Sequence, residues 1–313
     1  MKRFLALMIV PVLALSAMVT LASSWVGSTM QGDIIAYSGA CPKSGTFEHG
    51  VYLADIKRNL QVTLEEHIIV FQLTWSPDGQ QLAFTMHGRP GFSDLFVMNA
   101  DGGHQRNLTS TSENETDPTW SPDGRRLGFM RYGQEIDYLR QFIVLDIESG
   151  SVESRPINGL KFSRPIWSND GEELLFSALT RRQDAQDSYD IYYLNLEEGD
   201  SQALTDELYD NHSPDWSPDG QQIIYISVQS DTVGHAYFLT QLSLSGVKVQ
   251  LLKSAIALLD PRWSPDGTQI GVMQLEFFGD MQERRNLHVM DADGGDVRRL
   301  DLPCYVTDFS WRP

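Results

Sequence analysis

The sequence predicts an all-β fold: a six-bladed β-propeller of four-stranded antiparallel blades, closed by a blade split three plus one between the chain ends. Three observations predict it. The pentapeptide Trp-Ser-Pro-Asp-Gly is complete at Trp75, Trp120, Trp216 and Trp263, varied at Trp167 (Asn169 replaces the proline) and truncated at Trp311. Successive tryptophans lie 45, 47, 49, 47 and 48 residues apart. Such a period marks stacked supersecondary units, each too small to bury its own apolar face. Finally, three short extended segments precede the first complete copy and one follows the last, which together make one further unit.

The elements follow in chain order. Met1-Lys2-Arg3 and the apolar run from Phe4 to Ala22 form an export signal. Ala22 and Ser24 are small residues placed for cleavage before Trp25, and Pro11 and the short positive flank favour it. The run is also long enough, at 19 residues, to remain as an anchor. Residues 1–24 are therefore read as a signal peptide or an uncleaved anchor through residues 4–22. Residues 31–313 are read as the propeller, exported to a periplasmic or extracellular location. Asp33 to Ser38, Val51 to Ile56 and Leu60 to Leu64 supply three strands of the split blade, and Val306 to Trp311 supplies the fourth.

The unit from Asp117 to Asn158 shows the common plan. An extended run ends at Trp120 and turns at Ser121-Pro122-Asp123-Gly124. Leu127-Gly128-Phe129-Met130 follows, then a polar loop, then Phe142 to Ile147 and the turn Glu148-Ser149-Gly150. Short β-branched and aromatic runs bounded by Pro-Asp-Gly are strands joined by tight hairpins. Proline presets φ at the first turn position, aspartate caps locally, and glycine takes the positive φ. The repeat, with its Trp-Ser-Pro-Asp-Gly, Leu82-Ala83-Phe84 and Asp94-Leu-Phe-Val-Met-Asn-Ala-Asp-Gly-Gly103 segments, resembles the TolB-type, WD40-like propeller repeat over residues 31–313. The resemblance covers the propeller module alone, because only about 30 residues stand where that family carries an α/β domain.

The two cysteines suit an oxidising compartment. Cys41 is placed just after the second strand of the split blade and Cys304 just before its first. A disulfide across the closing blade is the reading, against two unrelated thiols.

Alternation along the meander sends the Pro-Asp-Gly and Asp-Gly-Gly turns to one end of each blade. The loops between strands two and three and between blades go to the other end. Those loops vary: His87–Ser93, Tyr132–Tyr138, Arg181–Tyr189, Gln229–His235 and Leu275–Arg285. A rigid scaffold with variable loops on one face is a binding design. Three residues before each tryptophan stand Gln72, Asp117, Arg164, Ser213, Asp260 and Asp308. They form either a polar mouth for a charged group or a set of caps on neighbouring strands. His49, His67, His87, His212 and His235 fall on the variable face but lack ligand spacing. His212 joins Gln72, Asp117, Arg164, Asp260 and Asp308 as a channel-mouth candidate, with no metal ligands or catalytic residues assigned.

The formal charge of −18 becomes −20 once Lys2 and Arg3 leave with a leader. Such a surface argues against nucleic acid or an anionic membrane as partner. Any membrane contact would run through an uncleaved leader. The chain holds no Gly-x-Ser-x-Gly elbow. The reading is a monomeric, non-catalytic scaffold, without cofactor, that binds a protein or peptide in the cell envelope. The alternative is a metal-dependent hydrolase or lyase of an envelope saccharide or lactone, holding a divalent cation at the channel mouth. A sensor ectodomain on a retained leader is a third.

Overall fold

The computed structural model describes residues 34–89, 91–133, 141–155, 162–182, 187–230, 232, 234–277 and 283–313. The leader, residues 1–24, and its alternative anchor, residues 4–22, lie outside them. Twenty-four strands form six four-stranded antiparallel sheets. Five sheets use four consecutive strands. The sixth joins Tyr305–Trp311 to Ile34–Lys43, Thr46–Asp55 and Leu60–Glu66, so the chain ends share one blade.

Counting from the first complete repeat, the innermost strands are Val70–Trp75, Asn114–Trp120, Phe162–Trp167, Asp210–Trp216, Leu258–Trp263 and Tyr305–Trp311. They belong to blades one to six in that order. Six clusters of buried apolar residues fill the six spaces between neighbouring blades. In blade one, Leu82 and Phe84 pack towards blade six, whereas Ala83 packs towards blade two. Successive strand residues thus serve opposite interfaces, which is why these strands read as continuous apolar runs. A single blade has no core of its own, so stability resides in the interfaces.

The repeated pentapeptide is explained by its turn. The serine hydroxyl donates to the aspartate two residues on, at 2.5–2.7 Å, in all five copies. The same aspartate accepts the backbone N–H two residues further, at 3.0 Å each time. The serine oxygen also accepts the N–H five residues downstream, as from Arg126 to Ser121 at 3.0 Å. The serine hydrogen bonds hold Asp123, Asp170 and Asp219 below the usual carboxylate range. Gly124 takes φ 68° and packs against Pro77 of the preceding turn. Asn169 departs from the motif because its amide donates to the Pro218 and Ser217 carbonyls of the next blade, at 2.7 and 3.2 Å. At the ring closure, the Arg312 Nε–H donates to the Gly79 carbonyl at 3.2 Å, and its guanidinium lies 5.4 Å from the Trp75 ring.

Two features differ from the sequence reading. The second strand of the closing blade runs on to Lys43, so Cys41 lies within it, and its partner begins at Thr46 instead of Val51. The hairpins at the variable end are likewise longer than the apolar runs, with pairing out to Ser230↔His235 and Phe277↔Glu283. The cysteines form the Cys41–Cys304 disulfide across 263 residues, at the variable end of the closing blade.

Candidate functional site

The innermost strands surround a central channel. A cavity of about 230 Å³ within it is lined by the residues three, two and one before the tryptophans, by several of the tryptophans, and by Pro77 and Pro265. It therefore runs from the level of the sequence-predicted ring towards the Pro-Asp-Gly turns. Gln72, Asp117, Arg164, Asp260 and Asp308 all line it, as does Ser213. His212 is not among the lining residues; its ring lies 5.0 Å from that of Tyr189. Burial holds the His212 pKa down, partly offset by Asp210.

A backbone irregularity aims the ring inward. In blades two to five, Asp117, Arg164, Ser213 and Asp260 adopt φ of 50–53°, and the strand register shifts there. A proline follows each of them: Pro118, Pro165, Pro214 and Pro261. A left-handed non-glycine residue costs of order 1–3 kcal/mol and persists only where its surroundings fix it. The bulge re-aims the strand. Residues three and one before the tryptophan then both face the channel, and Asp215 and Arg262 join the ring.

The channel charges largely answer one another. Arg164 of blade three reaches across to blades five and six, pairing with Asp260 and, at 3.3 Å, with Asp308. Arg262 approaches Asp308 at 3.7 Å, and Ser213 donates to Asp260 at 2.9 Å. Asp308 also accepts the Leu73 N–H of blade one at 2.9 Å, and Asp215 accepts the Trp263 N–H of blade five at 2.8 Å. Both are caps between blades. Burial pushes the Asp215 pKa up to about 6, against the pull of Arg262, the Trp263 N–H and Arg164. Burial and Arg262 lower that of Arg164, while Asp308 and Asp117 hold it up. Four carboxylates (Asp117, Asp215, Asp260, Asp308) against two guanidiniums leave the channel formally at −2.

The sequence reading missed Asp215 and Arg262. Their signal is the column one before the tryptophan, which reads Thr74, Thr119, Ile166, Asp215, Arg262 and Ser310. Charge appears there only in adjacent blades four and five.

A second cavity, of about 550 Å³, opens on the variable face across blades five, six and one. Gly39, Ala40, Val306 and Val70 contribute backbone and small side chains. Phe47, Ile69 and Phe71 line it while 44, 50 and 38% exposed. The rings of Phe47 and Tyr305 are 5.8 Å apart, and the Arg284 guanidinium lies 4.7 Å from the Tyr305 ring. On the other side, Phe71 meets His87 edge-on at 5.0 Å. Gln72 joins this groove to the channel. Large apolar side chains are also exposed at the turn end on outer hairpins, singly at Leu60, Val152 and Val297 and together on one hairpin at Leu244, Val247 and Val249. Exposure on a convex hairpin is ordinary, whereas side chains converging on a concave groove are not. Among the described residues, no group of three or more His, Cys, Asp and Glu side chains is arranged to hold a metal ion.

These features define a six-bladed repeat propeller with a charged channel, sealed by a split blade and a disulfide. The chain belongs to the family described as the TolB beta propeller domain, whose model matches residues 16–254. It is 28% identical over 161 residues to the uncharacterized peptidase YuxL of Bacillus subtilis, a match covering 50% of this chain and 22% of that one. The chain thus spans about a fifth of that relative's length. The uncharacterized protein Atu1656 of Agrobacterium fabrum is 25% identical over 208 residues, covering 64% of this chain and 68% of its own. Among solved structures, TolB from Acinetobacter baumannii superposes with a TM-score of 0.71 at 20% identity, covering 90% of this chain and 67% of that chain. At that identity the likeness is one of fold.

Proposed function

We propose that this propeller is an exported, non-catalytic scaffold that binds a protein or peptide partner in the cell envelope through its variable face. The observation that carries the reading is the groove of about 550 Å³ where exposed Phe47, Ile69 and Phe71 converge. Apolar and aromatic side chains gathered in a concave site are what binding anchors fill. Membership of the TolB propeller family and the Cys41–Cys304 disulfide, suited to an oxidising compartment, support the assignment to the envelope. In the channel, Arg164, Asp260 and Asp308 are engaged with one another and with blade backbones. That arrangement gives the channel a role in closing the ring.

Affinity capture from envelope extract of the source organism tests the reading. The oxidised protein is compared with Phe71→Glu on the variable face and with Val152→Glu on the turn end. The scaffold reading expects a partner retained by Val152→Glu and lost by Phe71→Glu. A partner retained equally by both variants would contradict it. So would metal-dependent turnover of a saccharide or lactone by the purified protein.

A further inference from the structure

We propose that the turn-end cavity between blades four and five is a binding site for an alkylguanidinium group. The site lies at the opposite end of the molecule from the variable-face groove and does not rest on the scaffold reading.

The repeat itself shows what the position accepts. Two blades place a guanidinium on the motif tryptophan of the blade that follows. Arg126 of blade two lies 4.8 Å from the Trp167 ring of blade three, and Arg312 of blade six lies 5.4 Å from the Trp75 ring of blade one. Arg126 stands six residues after its own tryptophan, and Arg312 one residue after. In blade four those two positions hold Gln222 and Ser217, which are uncharged and shorter. Both border a cavity of about 630 Å³, as does Trp263 of blade five. Trp263 is 8% exposed, against 5% for Trp167 and 4% for Trp75 beneath their arginines. A cation within about 6 Å of an indole face is attracted by the ring, more strongly as water is excluded.

The surroundings supply the counter-charge. Asp219, Asp266 and Asp293 line the cavity, and none of its lining residues is cationic. Each carboxylate uses Oδ1 within its own turn: Asp219 accepts from Ser217 and Gln221, Asp266 from Ser264 and Thr268, and Asp293 from Gly295. The Oδ2 atoms remain for a ligand, and a planar guanidinium can bridge carboxylates while stacking on a ring. The other interfaces differ. Gln81 and Gln269 occupy the Gln222 position before Trp120 and Trp311, but the turns of the following blades carry Arg125 there and Lys57-Arg58. Between blades three and four, the Asn169 amide crosses to the Ser217 and Pro218 carbonyls. The Trp263 Nε1–H lacks an acceptor, as do those of Trp75, Trp120 and Trp216, so its resonance reports directly on what enters the cavity.

The test follows the indole N–H resonances of the oxidised full chain by NMR while n-butylguanidine is added. The uncharged isostere n-butylurea is the comparison. The Trp263 resonance should shift saturably with a Kd of about 1 mM or tighter, and added salt should weaken the binding. Butylurea should bind about tenfold or more weakly, since it forms no charge-assisted hydrogen bond. Gln222→Arg supplies the guanidinium from within the chain, as Arg126 does in blade two, and should abolish the shift without lowering Tm. Gln81→Arg, the same change between blades one and two, should leave it unaltered. Asp293→Asn, on an exposed turn, should weaken binding several-fold, and it decides the matter if Gln222→Arg fails to melt cooperatively.

An acetylated and amidated Leu-Arg-Leu peptide identifies the source of the group. Leu244, 56% exposed, sits beside the site, its N–H donating to the Gln221 carbonyl at 3.1 Å. Peptide binding tighter than that of butylguanidine, and weakened in Leu244→Ser, would assign the group to an arginyl side chain of a protein. Equal binding, indifferent to Leu244, would assign it to a free small molecule. Equal affinity for butylguanidine and butylurea, or full binding by folded Gln222→Arg or Asp293→Asn, would overturn the proposal. So would the absence of a saturable Trp263 shift. None of these results bears on the variable-face groove.

Discussion

Removing the Cys41–Cys304 disulfide should cost the propeller a large part of its stability while leaving the native fold in place. The bridge spans 263 residues, so it ties almost the whole ring into one loop. The chain-entropy relation, with a loop of that length, gives a ceiling of about 5.6 kcal/mol at 25 °C, and native bridges typically contribute roughly 2–5 kcal/mol. The stabilisation acts mainly through the unfolded chain. In the folded protein, the pairs Gly39↔Val306 and Ala40↔Tyr305 hold the same strands together without it. At roughly 2–4 °C per kcal/mol for a domain of this size, Cys41→Ala/Cys304→Ala should lower Tm by about 4–20 °C. Scanning calorimetry of the variant, of reduced wild type and of oxidised wild type is the assay. The first two should coincide below the third, with matching near-ultraviolet circular dichroism in all three. A variant that melts within about 2 °C of oxidised wild type would refute the reasoning, because the closing blade would then not limit unfolding.

Other predictions concern the channel and the interfaces. Arg164→Ala removes the guanidinium that pairs with both Asp260 and buried Asp308, leaving Arg262 at 3.7 Å from Asp308, and should destabilise the protein by about 2–4 kcal/mol in urea titration. An unchanged midpoint would exclude the cross-channel pair as a clasp. Asp215 has a folded pKa of about 6, above the ordinary 3.8. The folded state therefore binds the proton more tightly, and stability falls as pH rises from about 4 through 6. Asp215→Asn should accordingly be more stable than wild type at pH 7.5, by up to about 3 kcal/mol, with the difference vanishing near pH 4. A pH-independent difference would contradict the assignment. Gly128→Ala would place a Cβ 2.4 Å from Phe142 Cζ and 3.0 Å from Trp167 Nε1, so it should cost about 1–3 kcal/mol in the same titration.

Much of this architecture is legible in the sequence because the repeat encodes local chemistry. Trp-Ser-Pro-Asp-Gly specifies a turn whose serine, aspartate and glycine each make a defined backbone contact. That turn sets the period, and the period sets the blade count. The split blade and the cysteine pairing follow from topology, since antiparallel neighbours bring Cys41 to Cys304. The channel was legible only in part. Counting back three from each tryptophan reaches Asp117, Arg164 and Asp260, but simple alternation does not anticipate the bulges at Pro118, Pro165, Pro214 and Pro261. The positive φ before those prolines also defies the usual preference of such residues for extended backbone. Asp215 and Arg262 were missed for that reason. The groove was illegible because Phe47 of blade six, Ile69 and Phe71 of blade one, and Arg284 of blade five meet only when the ring closes.

Site-specific photo-crosslinking in living cells tests the central claim most directly. A benzophenone amino acid is placed at Phe47, Ile69 or Phe71, and separately at Leu60, Val152 or Val297. The account predicts a discrete adduct to one envelope protein from the first set and none from the second. Adducts confined to the second set, or absent from both while the protein is folded and oxidised, would contradict it.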